Sequence, residues 1–375
     1  MSLVIDEHRG YVSDLHRLAA YEAAISSVVR EGDVVLDLAS GTGILGLLAC
    51  RAGASRLYSI DDGGVIALAR KISCTNGFSD RTTFLKGFST RVELPEPVDV
   101  VVADQIYGLG FEAGIIECFA DARRRFLKPG GRFIPESIDL HLALLDDAAL
   151  FAQVQTWASN PCGFNFNPAL ETAANSVYMV KLQPSSLLSS SAAAVSFDLT
   201  HAPAKLLRGE VVLQAARAGV AHGLGGWFNA QLAPGIRMTN SPLCAERINR
   251  PQVYLPIDSP VPVNQGDSVN VRISIAPLDN LATWTVEIPS AERLYRQSTF
   301  KGMLLPEEDL LRARPDFVPR LNRHGLARQA VLALCDGSRS RAQLEQELAT
   351  RHPDLFPSLT DASNSVSQVL GKYVE

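Results

Sequence analysis

The stretch Val34-Val35-Leu36-Asp37-Leu38-Ala39-Ser40-Gly41-Thr42-Gly43-Ile44-Leu45-Gly46 decides the fold of this chain. Val34 to Leu38 is a short apolar run that reads as a strand buried on both faces. Gly41 and Gly43 follow at once, and an apolar helical pattern opens at Ile44. Glycine in such a turn lets the backbone approach a ligand that a Cβ would exclude. The spacing is not the GxGxxG of a phosphate cradle. The next strand, Leu57-Tyr58-Ser59-Ile60, ends on Asp61-Asp62. A carboxylate in that place accepts the two hydroxyls of a ribose. Strand, glycine turn, helix and a second strand with a terminal acid point to a nucleoside-bearing cofactor. The plainer alternative is a tight turn with an acidic cap.

Working outward, the same alternation continues on both sides. Asp14 to Val29 carries Leu15, Leu18, Ala19, Ile25, Val28 and Val29 on roughly one helical face. Val65 to Asn76 reads as a helix, Thr82 to Leu85 as a strand, and Val98 to Ala103 as a buried strand ending on Asp104. Ile115 to Leu127 is expected to be helical and to stop at Lys128-Pro129-Gly130-Gly131. Arg132 to Leu145 returns to strand. This is the pattern of a parallel α/β sheet. Beyond residue 145, a helix is expected over Phe151 to Trp157, and Pro161 to Ser191 is irregular. Short β runs with turns at Gly266-Asp267 and Asp279-Asn280 fill Ala194 to Ile288, as in a barrel or sandwich. From Pro306 the chain turns helical again. Ser340 and Gln343 have the spacing of a capping box, and Val366, Val369, Leu370 and Tyr373 share a helical face. The expected domains are residues 1–145, 146–305 and 306–375.

Composition narrows the function classes. The chain has 375 residues, 46% hydrophobic and 20% charged, with a formal net charge of −5. That excludes a disordered chain and gives no general pull toward nucleic acid or anionic lipid. No apolar run has the length of a membrane span, and the start, Met1-Ser2-Leu3-Val4-Ile5-Asp6-Glu7, lacks the basic and apolar regions of a signal peptide. Cys50, Cys74, Cys118, Cys162, Cys244 and Cys335 form no CxxC pair. They read as reduced core residues of a cytoplasmic protein, not as a disulfide framework or a metal site.

On these residues the chain resembles the class I S-adenosylmethionine methyltransferases and, more narrowly, the protein arginine methyltransferases. The implied fold is a Rossmann-like cofactor sheet, then a β-barrel-like domain, here with a small helical module at the C-terminus. The implied cofactor is S-adenosyl-L-methionine, leaving as S-adenosyl-L-homocysteine. Asp37, Gly41 and Gly43 belong to the cofactor turn, with the glycines beside the methionyl part, and Asp61, followed by Asp62, is implied on the ribose. The run Asp14-Leu15-His16-Arg17-Leu18-Ala19-Ala20-Tyr21 matches the family's helix before the sheet. There, the resemblance implies Arg17 on the cofactor carboxylate and His8 closing over the cofactor. From the residues alone, Arg17 is a solvated helix charge and His8 a terminal side chain. Lys86 to Pro95 resembles the adenine-contact loop, with Thr90 where the family has an acid. Ser89 or Thr90 can accept that hydrogen bond in its place.

Asp104-Gln105-Ile106-Tyr107-Gly108-Leu109-Gly110-Phe111-Glu112 occupies the position of the family's paired-glutamate hairpin. A guanidinium stays protonated at biological pH and is a poor nucleophile until charge is drawn to one nitrogen. Two carboxylates can grip its planar fork, aim one nitrogen and take up a proton. Asp104 and Glu112 are the candidate clamp; a strand-end acid and a helix N-terminal Glu are the structural alternatives. The loop departs from the family in its shorter first acid and in a spacing one residue short. The family's Thr-His-Trp segment would fall at Arg247-Ile248-Asn249-Arg250-Pro251-Gln252, with Asn249 in the place of the His.

The resemblance runs on through Cys162-Gly163-Phe164-Asn165-Phe166 and fades near Ile288. It implies a dimerisation arm over residues 163–190 and hence a homodimer, against an ordinary surface excursion. The tail is similar to small winged-helix modules that bind leader peptides, and is equally consistent with simple helix packing. Three functions compete. The first is methyl transfer to a nitrogen, best an arginine guanidinium in a protein, a peptide or the free amino acid. The second is a small-molecule or natural-product N- or O-methyltransferase. The third is a cofactor-binding regulatory protein that has lost turnover.

Overall fold

A computed structural model of the chain describes residues 4–201 and 205–374. Helices α1 (Val4–Ser13) and α2 (Leu15–Val28) lead into β1 (Val34–Leu38), α3 (Ile44–Arg51), β2 (Arg56–Asp61), α4 (Ile66–Thr75), β3 (Thr82–Lys86), β4 (Val98–Ala103), α5 (Ile115–Arg125) and β5 (Leu127–Ile134). The five strands form one sheet in the order β3-β2-β1-β4-β5, with every neighbour parallel. All five residues of β1 are buried, as a strand covered on both faces requires. The connections leave β1 toward β2 on one side, and β4 lies on the other. The carboxyl ends of β1 and β4 therefore part at a switch point, where Leu38 pairs with Ala103. Open α/β sheets bind ligands in the crevice at such a point.

One boundary differs from the sequence reading. Helix α5 ends at Arg125, and Lys128-Pro129-Gly130-Gly131 lies within β5 instead of capping the helix. Val98 pairs with Leu127 but Val100 with Arg132, so four residues bulge opposite Asp99. A Pro-Gly-Gly run interrupts a strand ladder as readily as it stops a helix, and periodicity does not separate the two.

Strand β6 (Ser137–Leu145) opens the antiparallel part, followed by α6 (Ala148–Gln155), α7 (Leu170–Ala174), β7 (Tyr178–Val180), β8 (Ala192–Asp198), β9 (Leu207–Gln214), β10 (Gly219–Ala233), β11 (Ile236–Thr239), β12 (Gln252–Val263), β13 (Ser268–Ala276), β14 (Leu281–Ile288) and β15 (Arg293–Ser298). One sheet runs β7-β12-β10-β6-β8 with β11 on β10, and a second runs β15-β14-β13-β9. Alternating burial along β13 and β14 turns Val269, Val271, Ile273, Trp284 and Val286 into the core. Asn280 takes the left-handed conformation, at φ 52°, in the turn between them. Helix α6 begins at Ala148, earlier than expected, because the Asp147 carboxylate caps it through the Leu150 amide. The parallel and antiparallel sheets share one hydrophobic core and belong to one compact unit, up to Met303.

A second compact unit starts at Leu304. It contains α8 (Glu307–Arg312), α9 (Arg323–Leu334), α10 (Arg341–Arg351) and α11 (Leu359–Tyr373). Val331, Leu344, Leu348, Phe356, Val366 and Val369 form its own core. Ser340 and Gln343 close a reciprocal capping box at the start of α10. Tyr373, expected on the packed face of α11, is exposed, one turn beyond the last buried residue of the helix, Val369. The cysteines also depart from expectation: Cys50 is buried, but Cys74 and Cys162 are exposed and the other three are half-buried. Apolar sequence neighbours do not bury a cysteine that sits on the solvent side of its own element.

Candidate active site

The switch-point crevice is a cavity of about 220 Å³. Its floor is the end of β1 with the turn after it (Asp37, Ala39, Ser40, Gly41, Thr42) and the first turn of α3 (Ile44, Leu45). Its walls are His8 and Tyr11 from α1, Arg17 from α2, Asp104 to Tyr107 after β4, and Arg250. The turn is conformationally special. Gly41 and Gly43 have φ of 54° and 79°, and Ala39, with a Cβ, is held at 51°. A non-glycine residue in that region stores strain and is common at functional sites. A Cβ on Gly41 would lie 2.7 Å from the His8 ring, so the glycine leaves the gap between turn and α1 open.

Asp37 is buried, and its Oδ2 accepts the Gly46 amide at 2.9 Å. Burial pushes its carboxyl up to about 7, against the lowering pull of the Gly46 amide and Arg17. Asp61 sits just behind the turn. Its Oδ2 accepts the Gly41 amide at 2.8 Å and its Oδ1 the Gly63 amide at 2.8 Å. The described cavity wall does not include Gly43, Asp61, Asp62, Ser89 or Thr90. Gly43 caps α3, and Asp62 is exposed. Ser89 and Thr90 lie on a short 3₁₀ turn, where the Ser89 carbonyl accepts from Arg125.

Asp104 is the electrostatic hub. Its Oδ2 accepts from Arg17 Nε and, at 2.6 Å, from Arg250 Nη2, while Oδ1 accepts the Tyr21 hydroxyl at 3.1 Å. All three charged side chains are almost fully buried, at 6–7% exposure. Tyr11 lies between the two guanidinium groups, its ring 5.8 Å from Arg17 and 5.7 Å from Arg250. Asp104 therefore carries two guanidinium contacts and a hydroxyl.

Glu112 is placed elsewhere. Its Oε1 accepts the Leu109 amide at 2.7 Å and its Oε2 the Phe111 amide at 3.1 Å, so the carboxylate staples its own hairpin. It lines a separate cavity of about 330 Å³ with Asn175, Met179 and Thr299. Burial raises its carboxyl in spite of those amides. Thus the structure brings together His8, Arg17, Asp37, Gly41 and Asp104, and sets Glu112 on another wall.

Sequence reasoning missed Tyr11, Tyr21, Ala39 and Arg250. Arg250 falls inside the segment where the family has its Thr-His-Trp triplet, and an unmatched arginine there is its signal. Asn240 holds that segment in place. Fully buried, it accepts the Phe228 amide and donates to the Gly108 and Pro251 carbonyls at 3.1 and 2.7 Å.

The cavity suits a polar, partly charged ligand. Ser40 Oγ, Gln105 Oε1 and Arg250 Nη1 are buried without a partner, and all three residues line it. Residues 20–138 match the family described as ribosomal protein L11 methyltransferase, and residues 136–288 match the arginine methyltransferase oligomerization subdomain. Fold and site define a class I S-adenosylmethionine-dependent methyltransferase, with S-adenosylmethionine as cofactor. The arginine N(omega)-methyltransferase of Streptomyces achromogenes subsp. streptozoticus is 30% identical over 275 residues, 71% of this chain and 75% of that protein. Protein arginine N-methyltransferase 1 of Dictyostelium discoideum is 25% identical over 283 residues, 72% and 82% respectively. The fold is shared with the Trypanosoma brucei arginine methyltransferase enzyme–prozyme heterotetramer with S-adenosylhomocysteine. There the TM-score is 0.70 at 21% identity, covering 78% of this chain and 96% of that one. The chain belongs to the arginine methyltransferase family. Among the described residues no helix is long and apolar enough to cross a membrane.

Proposed function

We propose that this enzyme transfers methyl groups from S-adenosylmethionine to a guanidino nitrogen of arginine. The observation that carries the reading is Asp104: a buried carboxylate on the cofactor cavity whose Oδ2 already accepts from two guanidinium groups. The name of the Streptomyces relative, an arginine N(omega)-methyltransferase, supports it. Bound S-adenosylmethionine supplies an electrophilic methyl group. Gly41, Asp37 and Arg17 would hold it, with Asp61 bracing the turn, and His8 would cover it. Asp61 also fixes the Gly41 amide, so the turn and its acid act as one piece.

Asp104 would orient the acceptor. An incoming guanidinium must share its carboxylate with Arg250 or replace Arg250 on it. Holding the fork in plane aims one nitrogen and draws positive charge toward the other two. When the new N–C bond forms, that nitrogen loses a proton, and a carboxylate takes it. Glu112 would join the clamp only when the Leu109 and Phe111 amides release it.

That arrangement also favours a second reading. With Asp104 shared by two arginines and Glu112 tied to its own loop, the site suits an uncharged small-molecule nitrogen or oxygen as well. Methyl-labelled S-adenosylmethionine separates the readings. Incubated with guanidine compounds, peptides and neutral amines, the protein is expected to label the guanidino nitrogen alone. Label on a neutral amine or hydroxyl, with none on any guanidine, would overturn the arginine reading. We also propose a homodimer built through residues 163–190, in keeping with the oligomerization subdomain that spans them.

A further inference from the structure

A third cavity, of about 300 Å³, shares Arg250 with the cofactor cavity. Three more basic side chains border it: His16 from α2, Lys181 just after β7, and Arg247. No carboxylate among the described residues lines it. The two acids bonded to its wall are already engaged. Asp14 accepts the Arg17 and Asn249 amides, and Asp104 accepts from Arg17, Arg250 and Tyr21. Arg250 Nη1 has no partner although its side chain is 7% exposed.

Cations gathered around one concavity repel each other unless an anion is taken up there. A buried guanidinium nitrogen without an acceptor is an unmet hydrogen bond. Both features ask for an anionic ligand, and the position says which. Both cavities border Arg250, so a ligand held here lies beside the reacting end. We infer that this basic cavity binds a free carboxylate of the acceptor. The acceptor is then a guanidino amino acid, with its guanidinium on Asp104 and its carboxylate against Arg250, Arg247 and Lys181. This deepens, and rests on, the arginine reading given above.

The chemistry discriminates against an arginine within a protein. There the carboxylate has become an uncharged amide, and the cations of the cavity would be desolvated with no charge to pair. In free arginine the propyl arm separates the two charged ends, and the two cavities offer each end a counter-charge. Carboxylate–guanidinium pairing is geometrically specific as well as strong, so it sets position along with affinity.

The test compares kcat/KM for L-arginine, agmatine (which lacks the carboxylate), L-argininamide and a peptide with one internal arginine, using the full chain. L-arginine should be preferred over the other three by at least about tenfold. Arg247→Gln and Lys181→Ala should each raise KM for L-arginine and pull its ratio to agmatine toward one, with cofactor titration reporting that the variants fold. Equal use of agmatine or of the peptide, or a ratio unmoved by both variants, overturns the carboxylate site while leaving arginine methylation standing. Cofactor binding with no guanidine methylated removes the arginine reading, and this inference with it.

Discussion

Asp37 joins the cofactor turn to the solvent pH. Its carboxyl is buried and pushed up to about 7, so in the folded protein it loses its proton near neutrality. The unfolded carboxyl titrates near the ordinary value of 3.8. Between these values the folded state holds the extra proton, and the residue's contribution to stability falls as pH rises; above about 7 the whole cost is present. Cofactor binding has the opposite sign. S-adenosylmethionine carries a sulfonium charge, and an ionised Asp37 on the wall of its cavity attracts it. Affinity for S-adenosylmethionine should therefore rise from about pH 6 to about pH 7.5, by no more than tenfold per pH unit for one proton. S-adenosylhomocysteine, with a neutral sulfur, should rise less, and Asp37→Asn should flatten the difference. Calorimetric titration across the range checks it; a difference between the two ligands that does not change with pH sinks the assignment. At this scale the sequence was legible where a residue acts beside its own turn. Asp37 and Gly41, read from one strand–turn–helix, lie on the cavity, whereas Asp61, expected on a ribose, accepts the amides of Gly41 and Gly63. Arg17 reads from its helix as a solvated charge and is buried instead, so only the family resemblance pointed to it. Arg250 was not legible, because its partner, Asp104, is brought to it only by the antiparallel sheet packing behind the acid loop.

Elements, and not single side chains, set the geometry of that loop. Gly108 and Gly110 run so close to the antiparallel sheet that a Cβ would lie 2.8 Å from Val253 in one case and 2.6 Å from Ile138 in the other. Asn240, after β11, ties the Gly108 carbonyl to the Pro251 carbonyl, and its own carbonyl accepts from Gln252 at 2.6 Å. Gln252 in turn accepts the Leu182 amide at 2.8 Å. Acid loop, Arg250 segment and the chain after β7 are thus one hydrogen-bonded assembly. Asn240→Ala would leave the Phe228 amide and two carbonyls unpaired in a fully buried place, and each unmet group costs about 1–3 kcal/mol. A loss of about 3 kcal/mol or more in denaturant unfolding is expected. Acceptor KM should rise more than cofactor affinity falls, because the hydrogen bonds of Asn240 run to Phe228, Gly108, Pro251 and Gln252 and not to the cofactor turn. A fall of stability below about 0.5 kcal/mol would mean that the network is not structural. The existence of these elements was readable from periodicity, but their joints were not. Pro129-Gly130-Gly131 reads as a helix stop and proves to be a bulge in β5, because only the register with β4 distinguishes the two.

Across the whole molecule, two compact units meet the sequence in different ways. The first holds both the parallel sheet and the antiparallel sheets around one core, so the change of pattern near residue 145 marks a change of sheet within a single body. The second has its own core and caps. The described residues lining the cofactor cavity all belong to the first unit. Residues 163–190 belong to the first unit and carry large apolar side chains in the open: Phe164 is 70% exposed and Phe166 40%. Exposed aromatic side chains on an excursion from a packed sheet mark a contact surface. Together with the oligomerization subdomain matched over residues 136–288, they support the dimer contact proposed for this segment. The full chain should then sediment at twice its 40.5 kDa mass at micromolar concentration. A chain ending at Met303 should remain dimeric, since the second unit is not needed for the contact. Phe164→Glu, which adds a charge at a surface that must be desolvated, should shift the sedimentation to the monomer with cofactor binding measurable in both states. If the full chain sediments as a monomer, the dimer is wrong altogether; if Phe164→Glu leaves a dimer unchanged while loss of residues 304–375 dissociates it, the arm is not the interface and the second unit takes that role.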